Sequence, residues 1–357
     1  MAARAGASTL VLSDLHLGSR RLRDVLGLAT LRAPLIARVR EVERLVLLGD
    51  VFELFDIEVP EALALARPLL SSLGAAVGAH GQIVLVGGNH DHALFTRFIA
   101  GHLGAQREPL GLADWIEPSS DPALAAIAEL VAPAELVVAY PGVWLRDDVY
   151  ATHGHYLDRH ITLPPALEAA MPNALRDFLR APLRGDEFAP ADYERALAPA
   201  YAAFRAARDV SLPAWLADLV VGVRGSTLSG VAGPLAAALP NSALAPLGAE
   251  ALGLQLRRAG LRAMAEVIAR LEIDAAHVIF GHIHRSGPLA DDPLDDWVTA
   301  TGTAMHNSGS WVYEPLLVGH SGPENPYWPG TCIAVGEHGP PSIERLLAGF
   351  EASELRR

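Results

Sequence analysis

Behind the glycine pair Gly87-Gly88, an amide, an imidazole and a carboxylate stand in consecutive positions at Asn89-His90-Asp91. Four other places carry related side chains: Asp14-Leu15-His16, Gly49-Asp50, His153, and Gly281-His282-Ile283-His284. Carboxylate, imidazole and amide donors without a thiolate suit Mn, Fe, Zn or Ni rather than an iron–sulfur centre. A pair of such ions ~3.5–4 Å apart needs one shared carboxylate, and it stabilises both the attacking and the leaving oxygen of an in-line displacement. Water held by such ions falls in pKa from about 15.7 to about 7, which yields hydroxide at neutral pH.

Singly, these fragments mean little. With 14 histidines in 357 residues, chance gives Asp-x-His ~0.8 times and His-x-His ~0.5 times. Asp-x-His occurs at 14/16 and again at Asp158-Arg159-His160, where it reads as helix surface. His-x-His occurs at 90/92, 153/155 and 282/284. Alone, an aspartate is more often a helix cap and an asparagine a turn residue. As a joint set, however, the blocks nearly all follow directly on short apolar runs.

Those runs must position them. Residues 9–13, 44–48, 82–86 and 277–280 read as buried strands, with helical patterns to 39, over 60–77, over 93–104 and over 122–131 between them. Near-continuous Val, Leu and Ile in strands separated by helices indicate an α/β sheet covered on both faces. Functional groups in such sheets gather at the carboxyl ends of the strands, where Asp14, Asp50 and Asn89 fall. Residues 136–149 read as a β-hairpin turning at Pro141-Gly142 that delivers His153, and the tail as strand and turn up to a short helix near 350.

The five blocks, in this order, resemble the signature of the calcineurin-like metallophosphoesterases, over roughly 1–156 and 261–357. That resemblance implies a four-layer α/β/β/α sandwich as the catalytic domain, with 157–260 as a mainly helical insertion or cap. It implies two divalent metal ions, most readily Mn with Fe, Zn or Ni as alternatives. Asp50 would bridge them; Asp14, His16 and His284 would complete one, and Asn89, His153 and His282 the other. His90, oriented by Asp91, would stabilise the phosphoryl oxygens or protonate the leaving group. Glu53 stands where the family often has Asp or Asn, and would bind through water or hydrogen-bond a ligand. His92 and His155 read as supporting residues or bystanders; His306, His320 and His338 read as surface residues, with a rim contact as the alternative for His306. Arg20, Arg21 and Arg23 would clamp a substrate phosphate or form a solvated basic loop.

Composition narrows the choice. The net charge of −13 provides no basic footprint for nucleic acid. All 28 basic residues are arginine, which excludes a P-loop lysine and Schiff-base chemistry. The lone Cys332 excludes an intrachain disulfide. No signal peptide is evident, so a cytoplasmic protein is expected. Residues 225–249 carry no charge, but Pro234, Pro240 and Pro246 argue against a spanning helix. A packed cap is the plain reading of that segment, and shallow contact with a bilayer surface or a greasy substrate the sharper one.

Within the family the motifs look most like the branch containing UDP-2,3-diacylglucosamine pyrophosphatase, although that branch commonly has Arg where this chain has His90. The expected function is therefore hydrolysis of phosphomonoester, phosphodiester or pyrophosphate bonds in a phosphorylated small molecule or lipid-linked substrate. A nuclease of the same chemistry, or a non-catalytic metal-binding scaffold that recruits partners through the insertion, are the alternatives.

Overall fold

The computed structural model describes residues 8–20, 23–103, 108–161, 188–206, 245–318 and 321–355. The strands are β1 (Thr9–Leu12), β2 (Arg23–Asp24), β3 (Arg44–Leu48), β4 (Gln82–Val86), β5 (Ala113–Ile116), β6 (Glu135–Arg146) and β7 (Val149–Thr152). They continue with β8 (His277–Phe280), β9 (Ser286–Gly287), β10 (Ala304–Ser308), β11 (Val312–Tyr313), β12 (Thr331–Val335) and β13 (Ser342–Arg345). The helices are α1 (Ala29–Val39), α2 (Val59–Val77), α3 (Thr96–His102), α4 (Pro122–Val131), α5 (Pro190–Ala206), α6 (Ala245–Arg270) and α7 (Pro315–Val318).

The fold is mixed α/β, built on an eleven-stranded sheet in the order β13-β12-β1-β3-β4-β6-β7-β8-β10-β9, with β5 added on β6. β1, β3, β4 and the first half of β6 run parallel, joined by helical crossovers. Period-two alternation divides their side chains between two cores. Leu10, Leu12, Leu45, Leu47, Ile83 and Leu85 pack with α1, α2 and α4. Val11, Val46, Leu48, Val84 and Val86 share a second core with Val143, Leu145, Val149, Ala151 and Ile279 of β6, β7 and β8. On their other face, Tyr150, Val278, Phe280 and Met305 meet α5 and α6 in a third core.

Local signals account for several elements. Pro122 starts α4 while the Asp121 carboxylate caps it, accepting from the Ala123 N–H at 2.8 Å. α5 buries Tyr193, Glu194, Leu197 and Tyr201, spaced for one helical face, so part of the predicted insertion belongs to the third core. α6 continues through residue 260 without a break. No described helix is long and apolar enough to cross a membrane. Of the uncharged stretch, 225–244 lies outside the described residues and 245–249 opens α6.

Two sequence expectations are corrected. β6 runs straight through Pro141-Gly142, and the reversal into β7 comes at 147–148. Proline is tolerated here because the strand changes partner at this point: β4 pairs with residues up to Ala139, and β7 pairs from Gly142 onward. The tail near 350 forms turns rather than a helix.

Candidate metal centre

Five loops leave the carboxyl ends of β1, β3, β4, β7 and β8, and they carry Asp14/His16, Asp50, Asn89/His90, His153 and His282/His284. The structure brings all of these together. Single ligand atoms of Asp14, His16 and His284 lie within 4.8 Å of one another, as do those of His16, Asp50 and His90, and of Asp50, His153 and His282. Asp50 and His16 each belong to two of these groups. The Asn89 amide oxygen joins the third, 3.2 Å from His153 Nε2. Each of these side chains is buried. Such groups could hold a metal ion.

The backbone is bent to make this possible. Asp14, His16, Asp50, His282 and His284 all have φ between 46° and 68°, and Glu272 is the only other non-glycine with positive φ among the described residues. Each such residue costs about 1–3 kcal/mol and persists only where the surroundings enforce it. Here the first two loops brace each other: the Asp14 N–H donates to Gly49 O at 3.1 Å and the His16 N–H to Asp50 O at 2.9 Å. Close approach explains two glycines. A Cβ on Gly88 would lie 2.3 Å from Asp50 Oδ1, and one on Gly281 would lie 2.5 Å from Asp14 Oδ2.

Each aspartate is tied by one oxygen and leaves the other facing inward. Asp50 Oδ1 accepts from the His90 N–H at 2.8 Å, and Asp14 Oδ2 accepts from the His282 N–H at 3.0 Å and from the Ser13 hydroxyl. Asp14 Oδ1 and Asp50 Oδ2 are buried without a well-directed hydrogen bond, each with an imidazole Nε2 at 3.2 Å, of His284 and His153 respectively. The histidines follow the same rule. Glu53 takes Nδ1 of both His16 (3.0 Å) and His90 (2.7 Å), Glu314 takes Nδ1 of His284, Asp158 takes Nε2 of His282 (2.9 Å), and the Leu48 carbonyl takes Nδ1 of His153 (3.0 Å). Anchoring one ring nitrogen on an acceptor turns the other, as a lone pair, toward a ligand.

The leftover atoms test whether a cation fits. His16 Nε2 and His284 Nε2 stand 3.1 Å apart, each with its Nδ1 facing a glutamate. Two lone pairs at that distance repel unless a proton or a cation sits between them. His90 Nε2 and His282 Nδ1 are likewise buried without a partner. An unpaired buried polar atom costs about 1–3 kcal/mol, so this concentration needs a compensating charge. The carboxylates of Asp14, Asp50, Glu53, Asp158 and Glu314 make that charge positive.

Electrostatics agree. Burial alone would raise the Asp50 carboxyl, but the imidazoles of His153, His90 and His16 hold it well below its usual range. Glu53 is held down to about 2 against the same burial by His90 and His16. His90 is raised to about 9, because Glu53 and Asp50 outweigh the cost of burying its charge. Asp91 goes the other way, pushed up to about 6 by burial and by the Asp50 charge.

Several expectations change. Asp91 does not orient His90: its carboxylate accepts from the backbone N–H groups of Val51 (2.8 Å) and Gly88 (2.7 Å), and Glu53 holds the His90 ring instead. Asp158 is 6% exposed and supports His282, so its motif is not helix surface. Arg20 is 65% exposed and lies 3.9 Å from Glu61, in keeping with the solvated-loop alternative. Arg21 and His320 lie outside the described residues, as does the side chain of Arg23. His306 is buried and meets His277 at 3.2 Å, whereas His338 is exposed as expected. His92 and His155 support a different cluster, around Glu194.

Sequence reasoning missed Glu314 and the role of Asp158. The second Asp-x-His motif was the available signal for Asp158; nothing in the sequence pointed to Glu314. Comparison with protein-family models and with curated proteins finds no match.

Proposed function

We propose that the chain is a phosphoesterase that uses two divalent metal ions, on a four-layer α/β/β/α frame. Three stacked cores, one between the two halves of the sheet and one under each outer set of helices, support the frame. The observation that carries the reading is the convergence of strained, buried O and N donors whose unbonded atoms face one another. Asp14, His16 and His284 would hold one ion, Asn89, His153 and His282 the other, and Asp50 would serve both.

Ions so held supply Lewis acidity and a neutral-pH nucleophile for in-line displacement at phosphorus. The side chains do the rest. Glu53 fixes both His16 and His90, so ligand geometry and the proton-bearing imidazole are set by one carboxylate. His90 Nε2 would hold a proton toward the leaving oxygen of a phosphomonoester, diester or pyrophosphate. Asp91 ties the Gly88 and Val51 amides together and so keeps the β3 and β4 loops in register.

A second reading, a metal-holding scaffold without catalysis, draws on burial: none of these ligands is more than 4% exposed. Metal analysis together with turnover of bis(4-nitrophenyl) phosphate in Mn²⁺ separates the two. The hydrolase reading expects about two ions per chain and turnover that Asp50→Ala or Asn89→Ala removes. Metal without turnover on phosphomonoester, diester and nucleotide-lipid substrates would favour the scaffold, and no metal at all would end both.

A further inference from the structure

On α5, one buried residue lies beside the centre without having found anything to bond among the described residues. Tyr201 is 2% exposed, and its hydroxyl has no hydrogen-bond partner among the described residues. Its ring lies 6.3 Å from that of Phe55, which in turn lies 4.6 Å from His90. On its other side it lies 5.0 Å from His92 and 6.2 Å from His155, and the His155 ring is 5.6 Å from His153. Tyr201 is thus one ring removed from candidate site residues on two different loops.

The placement of the helix is enforced from below. Glu194, seven residues earlier and therefore on the same face, is fully buried and accepts from Tyr140 and Tyr156 at 2.5 Å each and meets His92 at 2.9 Å. Tyr193 stacks on Tyr156 with centroids 4.6 Å apart, and Leu197 on the same helix is fully buried. A helix held so firmly has no need of an unbonded phenol at its next turn, because a phenylalanine would pack there without leaving a polar atom unpaired. Burial, with the charges of Asp158, Glu194 and Asp50, pushes the Tyr201 hydroxyl well above the ordinary phenol range, so it remains a proton donor. The Arg159 guanidinium, 8% exposed, acts on the same hydroxyl and adds a positive charge to that neighbourhood.

We infer that the Tyr201 hydroxyl, carried beside the centre by α5, donates a hydrogen bond to a phosphoryl oxygen of the substrate. The inference rests on the phosphoesterase reading and adds a substrate-contacting residue from outside the five loops. Its ligand chemistry is a tetrahedral phosphoryl oxyanion, and no bond to the tyrosine is made or broken.

The test is calorimetric titration of metal-loaded wild type and Tyr201→Phe with inorganic phosphate, beside turnover of 4-nitrophenyl phosphate and bis(4-nitrophenyl) phosphate. Losing one hydrogen bond to a charged group should raise the phosphate Kd, and lower kcat/KM, by roughly 10- to 100-fold. Metal content should be unchanged, and the thermal midpoint equal or higher, since the variant removes an unpaired buried hydroxyl. Equal phosphate affinity in the two proteins would overturn the inference, as would a lowered midpoint with lost metal, which would make Tyr201 structural. Wild type that binds phosphate more tightly than the variant but turns nothing over keeps the inference and defeats the hydrolase reading. Wild type that fails to bind phosphate defeats both.

Discussion

Two buried clusters of histidine and carboxylate lie side by side in this molecule, and they are built on opposite plans. Around Glu194 both carboxylate oxygens are bonded, to Tyr140, Tyr156 and His92, and none of the cluster's residues has a positive φ. What remains unpaired there is Nδ1 of His92 and of His155, with the Tyr201 hydroxyl beside them, and burial lowers the His155 pKa to about 4, which keeps that ring neutral. Around Asp50 each aspartate keeps an oxygen unbonded, the imidazoles face one another, and five residues sit in the left-handed region. Residue type alone does not separate a polar strut from a candidate metal site. Unbonded carboxylate oxygens on strained backbone do.

That contrast can be broken by experiment. The largest effect is expected from Asp50→Ala, which should lower metal-dependent turnover by about 10³-fold or more and reduce bound metal, as read by elemental analysis and steady-state kinetics. Wild-type turnover in this variant would refute the site. Glu194→Ala should act on stability instead. It leaves two tyrosine hydroxyls and an imidazole unpaired in the interior, so a loss of about 3–5 kcal/mol in denaturant unfolding is expected with metal stoichiometry retained. If Glu194→Ala loses metal and keeps its stability, the roles of the two clusters are reversed.

Finer substitutions sharpen the boundary. Asp158→Asn keeps the size of the side chain but removes the charge behind His282, and should weaken metal affinity by about 10–100-fold in competition with a chelator. The same assay on Tyr140→Phe should show no change in metal affinity, while unfolding shows a loss of about 1 kcal/mol for one hydrogen bond. Matching metal affinities in Asp158→Asn and wild type would place Asp158 with the struts.

Much of the centre was legible because its chemistry is local. A short apolar run followed by glycine and a ligating side chain is a strand end in this fold, and every metal-ligand candidate named from that pattern lies in the cluster. For Arg20 the sequence left a phosphate clamp and a solvated loop side by side, because an exposed side chain finds its partner, here Glu61, by geometry that spacing does not encode. The Pro141-Gly142 turn failed because the pair marks a change of strand partner, which depends on where β4 and β7 lie. His306 looked like a surface residue, yet the pairing of β10 with β8 buries it beside His277, a contact 29 residues away in the chain.

The amino-acid sequence by itself determined which donors are available, that nearly all of them follow short buried strands, and that no lysine takes part. Those properties reside in single residues and their immediate neighbours. Only the tertiary structure decided which nitrogen of each imidazole faces inward, that Glu53 rather than Asp91 holds His90, and that α5 sets Glu194 against His92 and Tyr201 beside Phe55. Each of these is a contact between segments tens to hundreds of residues apart, formed only when the sheet closes, so no local pattern in the chain records it.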